Sequence, residues 1–305
     1  MQIERLADGW SLIDLEFIGH KQIIGSYVCY DGHEAMIVET GPSTCVSTLT
    51  AALSELQIPL DKVSHVVATH IHLDHSGACG VLAREMPKAK VYVHPFGAQH
   101  LIDPSKLIAS AGRIYGDLMD FLWGEIAPVP EGRVVIVQDG DEIAGAGRRL
   151  RAIETPGHAR HHHAYLDLGS RSLFAGDIAG VRLPGFAYVR PPTPPPELNL
   201  EDWDASLAKI RAIGPSWLNL THFGQFDDVE RHLTDLQKRL HDWGALVKSL
   251  MSETEDEEAI VERVRQAVHG EMQELGIDPE EYDVAASYQM GVQGYIRYWR
   301  RKLMS

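Results

Sequence analysis

Cysteine is scarce in this sequence, and positive charge is outnumbered by negative. Only Cys29, Cys45 and Cys79 occur among 305 residues, and none of them forms a CxxC pair. That excludes a disulfide-stapled fold and a thiolate metal knuckle, and it favours reduced thiols in a cytoplasm. Lys and Arg total 28 against 43 Asp and Glu, a formal net charge of −15. A field of that sign repels polyanions, so nucleic acid and anionic membranes are disfavoured as partners. No apolar run reaches the roughly 18 residues of a membrane span, and the first residues form no apolar signal region, so a cytoplasmic protein is expected. No internal repeat on the scale of about 20–50 residues is present, which excludes a solenoid. What remains is an ordinary globular composition, 44% hydrophobic and 23% charged, on a chain long enough for a large core.

Histidine, by contrast, is concentrated. Thr69-His70-Ile71-His72-Leu73-Asp74-His75 puts three imidazoles and a carboxylate into six positions. The β-branched run just before it, residues 63–68, reads as a buried strand, and Ser76-Gly77-Ala78 after it can turn into a helix. The motif therefore lies on a loop at a strand's C-terminal end, where layered α/β folds bind ligands. If the start of the loop is extended, His70 and His72 face one way. Asp74 and His75 follow the turn and can face a second point. Two metal positions are the natural reading, with ligands that suit zinc, iron or manganese.

Further strand ends carry matching groups. Residues 149–154 deliver Thr155-Pro156-Gly157-His158, residues 172–175 end in Gly176-Asp177, and residues 216–220 present Thr221-His222. His70, His72 and His158 can hold one ion, and Asp74, His75 and His222 a second. Asp177 can bridge them, since a carboxylate has two oxygens and a charge to offset two cations. His162 can orient a ligand from behind. His161 and His163 read equally well as structural histidines, and Cys79 as a buried thiol.

The rest of the chain frames these ends. Strands are expected at 10–18, 27–30, 35–38, 90–93, 133–137 and 163–166, with a helix capped by Ser43 or Thr44 and a helix from 76 to 85. The helical stretch 94–124 can roof a site or merely fill space. The proline-rich loop 180–196 borders Asp177, and Phe186, Tyr188 and Arg190 are its candidate substrate contacts. Asn199 caps a further helix. From Val229 to Leu250 apolar residues recur in a 4-3 rhythm, which suits packing on the domain or a homodimer seam. Two domains are expected, a catalytic one at 1–224 and a helical extension at 225–305.

The four motifs at 69–77, 155–158, 174–177 and 221–224 resemble, in content, order and spacing, the metal-binding motifs of the metallo-β-lactamase superfamily. The resemblance implies a four-layer αββα sandwich with a dinuclear site at one edge and the ligand set above, to which the helical extension at 225–305 is appended. It also implies hydrolysis of a small thioester, ester or lactone by a hydroxide shared between two divalent ions, most often zinc. Asp74 would hydrogen-bond that hydroxide in addition to ligating. His72 stands where flavodiiron-like members carry Glu, which disfavours oxygen reduction. Residues 155–162 keep the final His of the glyoxalase II-like segment as His162 but replace its Gly by His161. The alternatives are a mononuclear iron dioxygenase acting on persulfides, a phosphodiesterase or nuclease branch, and a binding member with a degenerate site.

Overall fold

Alternation along the strands sorts the side chains into layers. The computed structural model describes residues 2–304. Strands β1 (Ile3–Arg5), β2 (Ser11–Asp14), β3 (Gly25–Tyr30), β4 (Ala35–Val38), β5 (Val63–Val67), β6 (Lys90–Val93) and β7 (Val134–Ile136) form one sheet in that order. It is antiparallel from β1 to β4 and parallel from β4 to β7. A second sheet runs β8 (Glu142–Gly145), β9 (Arg148–Glu154), β10 (His163–Asp167), β11 (Ser172–Gly176), β12 (Trp217–Leu220) and β13 (Gly224–Phe226), with only β11 and β12 parallel.

The side-chain period of two gives each sheet an inner and an outer face. Tyr27, Cys29, Met36 and Val38 meet Leu150, Tyr165 and Phe174 between the sheets. Their neighbours Val28, Ala35 and Ile37 face the opposite way. That outer face packs against α1 (Val46–Glu55), α2 (Leu73–Ser76), α3 (Cys79–Glu85), α4 (Pro95–Ile102), α5 (Ser105–Tyr115) and α6 (Met119–Leu122). On the second sheet, Ala164, Leu166, Leu173 and Leu218 face α7 (Leu200–Ile213), α8 (Val229–Met251), α9 (Glu257–Glu274), α10 (Pro279–Ala285) and α11 (Tyr288–Met304). The result is the αββα sandwich expected from the sequence. Among the described residues no helix is long and apolar enough to cross a membrane.

The 4-3 stripe of α8 is covered within the chain. Leu233, Leu236, Leu240, Trp243, Val247 and Leu250 join the core of the second sheet and of α9 and α11. Truncating one of these leucines to alanine removes about 2–5 kcal/mol. Asn199 caps α7 by accepting from Asp202 N at 3.2 Å, and Asp278 caps α10 ahead of Pro279.

Four local expectations change. Residues 10–18 are not one strand, because β2 stops at Asp14, whose carboxylate accepts from Glu16 N and Gln22 N and closes a turn. The helix expected over 76–85 splits into α2 and α3 at Gly77, where a side chain would strike Leu73 O and Pro42 Cα. Ser43 and Thr44 do not cap α1. Their hydroxyls bind Glu125 O at 2.5 Å and Leu122 O at 2.9 Å, which ties down the end of the 94–124 excursion. The short strands β8 and β13 add to the second sheet, β8 through a tight turn at Ala146-Gly147 with positive φ at both residues.

Candidate metal centre

The candidate ligands sit at or just beyond strand ends, and the rings of His70, His75, His158 and His222 are each held from behind. Thr69 to His72 leaves β5 extended, and His72 is the last extended residue before α2, which carries Asp74 and His75. His158 follows Gly157, a position with φ of 138° where a side chain would collide with Trp203. Asp177 follows Gly176, where a side chain would lie 2.6 Å from both His162 Nε2 and Thr69 Oγ1. Only glycine permits both approaches.

His158 donates its Nδ1–H to Pro192 O at 2.9 Å, His222 donates to Ile23 O at 2.7 Å, and His75 donates to Glu39 Oε2 at 2.8 Å. A carbonyl or carboxylate cannot donate back, so each ring in its neutral form turns an Nε2 lone pair inward. His70 Nδ1 lies 3.0 Å from Thr69 Oγ1. At the centre, His72 Nδ1 is 3.0 Å from His70 Nε2 and 2.9 Å from His158 Nε2. Asp177 directs Oδ2 at His158 Nε2, 3.3 Å away, and Oδ1 at His75 Nε2, 3.2 Å, and His222 Nε2, 3.6 Å. Asp74 Oδ2 is 3.4 Å from His222 Nε2 and 3.6 Å from His75 Nε2.

The seven side chains thus fall into two groups, His70, His72, His158 and Asp177 in one and Asp74, His75 and His222 in the other. His75 Nε2 and Asp177 Oδ1 are buried without a hydrogen-bond partner. Bare donors packed this closely are costly unless a cation lies between them, so the residues fit metal ions.

Electrostatics separates the groups. Burial, reinforced by the neighbouring imidazoles, holds His70 well below the ordinary imidazole range, and burial together with His158 takes His72 down to about 3. In the second group burial acts in the same direction, but Asp177, Asp74 and Glu39 outweigh it and hold His75 well above that range. His222 is raised against burial by Asp74 and Asp177. Asp177 itself is held far below the usual carboxylate range, since His75 and His158 outweigh its burial.

His162 lies behind the cluster. Its Nε2 accepts from Asp177 N at 3.2 Å and its other nitrogen faces Thr155 Oγ1 at 2.8 Å. Glu39 is a site residue that sequence reading missed. It is 1% exposed and binds both Thr69 N, at 2.9 Å, and His75. A carboxylate just after the apolar strand 35–38 was the available signal.

A cavity of about 800 Å³ opens above the ligands, and His72, Asp74, His158, Asp177 and His222 form its floor. The 94–124 excursion supplies one wall, so it roofs the site. Residues 192–197 and 283–291 supply much of the other. His161 lines the cavity and lies 3.5 Å from Glu197, whereas His163 packs against His94 outside it, with the rings tilted at 53°.

The three expected substrate contacts do not reach this cavity. Tyr188 is buried against Tyr282, and Phe186 packs on the C-terminal core. Arg190, 1% exposed, is caged behind the wall. Its guanidinium is 4.1 Å from the Tyr288 ring and donates to Ala286 O at 2.9 Å and Tyr288 Oη at 2.6 Å. The loop turns its aromatic half toward the C-terminal helices, and its prolines face the site.

The sequence profile of the metallo-beta-lactamase superfamily matches residues 24–222. The chain is 33% identical over 182 residues to the metallo-beta-lactamase fold-containing protein ST1585 of Sulfurisphaera tokodaii, an alignment covering 58% of this chain and 67% of that one. It is 30% identical over 151 residues to a hydroxyacylglutathione hydrolase of Synechococcus and 27% identical over 184 residues to thioesterase pkgB of Emericella nidulans. Those two alignments cover 50% and 57% of this chain but only 47% and 43% of the relatives, so the chain spans less than half of each. Among solved structures, ST1585 superposes with a TM-score of 0.62 at 29% identity, covering 76% of this chain and 86% of that one. The family protein TTHA1429 of Thermus thermophilus superposes with a TM-score of 0.69 at 20% identity, covering 96% and 94%, so the likeness in fold extends into the C-terminal helices.

Proposed function

The chain belongs to the metallo-β-lactamase superfamily, and from that premise we propose that it is a metal-dependent hydrolase of an ester, thioester or lactone. The observation that carries this reading is the convergence of bare lone pairs on two adjacent points, with the two oxygens of Asp177 aimed one at each group. His70, His72 and His158 would hold one ion, Asp74, His75 and His222 the other, and Asp177 would serve both. Zinc suits this thiolate-free set, and iron and manganese are the alternatives. When bound, two such ions supply a water that deprotonates near neutral pH and a Lewis acid for the substrate carbonyl.

The chain's own groups do the rest. Asp74, on the cavity floor, accepts a hydrogen bond from the attacking water. Glu39, Pro192 O and Ile23 O keep His75, His158 and His222 in the tautomer that leaves Nε2 free. The apolar walls keep bulk water from the reacting carbonyl. No side-chain nucleophile is needed, and burial pushes the Cys79 thiol up to about 12. The names of the thioesterase and hydroxyacylglutathione hydrolase relatives support this class of reaction. The three free, buried cysteines support a reducing cytoplasm, and the charge of −15 supports a small-molecule substrate over nucleic acid.

Metal analysis of the purified protein, coupled to assays on acyl thioesters, esters, lactones and phosphodiesters, tests the proposal. Two ions per chain with carbonyl hydrolysis abolished by chelation is the expected result. One iron per chain with oxygen uptake, or turnover confined to phosphodiesters, would overturn it.

A further inference from the structure

The cavity is far more apolar than a small polar ester requires, and its apolar surface continues outside. Ile71, Leu73 and Trp123 line it from within and are nearly buried. Phe96 and Ile114 also line it, yet they are 59% and 46% exposed. An apolar track therefore leads from solvent toward the candidate ligands, with the Arg160 guanidinium 5.5 Å from the Phe96 ring at its outer end and His100 and Lys106 also lining the cavity. The surface around its mouth is unusual too. Nine large apolar side chains are exposed among the described residues, and five of them, Phe96, Ile108, Ile114, Leu118 and Phe121, lie on the single excursion that roofs the site. Helix α5 explains how. Leu107, Ala111, Ile114 and Tyr115 recur at helical spacing on a face turned to the cavity, but only Ala111 is fully buried. A face of this kind, left uncovered beside a catalytic cavity, is suited to an apolar ligand.

We propose that the substrate is an amphiphile carrying a saturated acyl chain, with its carbonyl over Asp74 and Asp177 and its chain lying along α5 past Ile71 and Leu107 toward Phe96 and Ile114. The hydrolase reading above fixes the carbonyl's position, and the cavity wall alone argues for the chain. Its occupant is apolar where it meets Ile71, Leu107 and Ile114, and the Arg160 cation stands over Phe96 at the outer end of the track. The mouth admits a chain of variable length because its last residues are already in water.

Two measurements test this separately from the hydrolase reading. The first is kcat/KM of the metal-loaded protein on p-nitrophenyl esters from acetyl to decanoyl. Burial of each methylene should raise it about fourfold until the track is filled. Ile114→Glu and Leu107→Glu, with unchanged far-ultraviolet circular dichroism, should lower the decanoyl-to-acetyl ratio at least about tenfold, as an ionised carboxylate on the track repels the chain. The second is quenching of Trp123 fluorescence by a bromine-tagged fatty acid, with and without metal. Saturable quenching that disappears in Trp123→Phe is expected.

Hydrolysis that is flat along the series, without quenching, would overturn the acyl-chain proposal and leave the hydrolase standing. Quenching without hydrolysis of any ester or thioester would do the reverse. A flat series together with a concentration-dependent dimer that Ile114→Glu dissociates would assign the face to a second copy of the chain, and the proposal would fall.

Discussion

The two ligand groups draw their order from different sources. His70 and His158 are held by neutral partners, the Thr69 hydroxyl and the Pro192 carbonyl, His72 packs between those two imidazoles, and burial holds all three rings below the ordinary imidazole range. His75 and His222 face carboxylates, with Glu39 behind His75 and Asp74 and Asp177 in front. One group offers a neutral nitrogen pocket and the other an anionic one, and Asp177 belongs to both. The first selects mainly by ligand type and geometry. The second attracts positive charge first. A chain with both can hold two like ions close together, because the carboxylates offset the repulsion between them.

This contrast can be broken or sharpened by experiment. Asp177→Asn strikes both groups at once. We expect loss of both ions and a fall in kcat/KM on the order of 10³-fold, measured by metal content and ester hydrolysis. Chelation of the wild-type protein should lower the melting temperature by on the order of 10 °C, because it leaves the converging lone pairs uncompensated, and readdition of zinc should restore it; calorimetry reads both. Glu39→Gln should act on the anionic group alone. Affinity for the second ion should fall about 10–100-fold while the first ion stays, so that titration gives one tight and one weak site. Thr69→Val removes only a neutral partner from His70. It should cost the first ion a few fold in affinity, about the worth of one ordinary hydrogen bond. If Thr69→Val and Glu39→Gln proved equal, the electrostatic distinction between the groups would be lost.

His70, His158, Asp177 and His222 are legible because each stands just past an apolar strand, where periodicity and an adjacent Gly or turn residue announce a loop, and Asp74 and His75 follow within the same motif as His70. The C-terminal ends of β5, β11 and β12 in particular stand out from sequence alone. Glu39 did not stand out, since a single carboxylate after a strand reads as a turn residue until His75 is seen behind it. The loop 180–196 borders the site through Pro192 to Pro196 and not through Phe186, Tyr188 or Arg190. Proline density marks an extended path and says nothing about which side faces inward. Only the cage of Tyr282, Tyr288 and Met272 reveals that Arg190 belongs to the wall's support. Short strands such as β8 and β13 carry too few residues for their alternation to stand out. The stripe of α8 suits packing within the chain better than a dimer seam, and the assembled core has the second sheet and its neighbouring helices covering it.

Pro192 has two neighbours that seldom share one residue. Its carbonyl holds His158, and the residue also lines the cavity above the candidate ligands. Changes to this loop that reshape the cavity will therefore also retune a metal ligand. Grafting a foreign loop to alter selectivity would put the tautomer of His158 at risk, unless the graft restores a carbonyl at the same point. Over generations, drift in this segment is constrained from two sides, whereas the roof at 94–124 touches the ligands with no hydrogen bond of this kind. New selectivities should arise more readily by variation in the roof than in the proline loop.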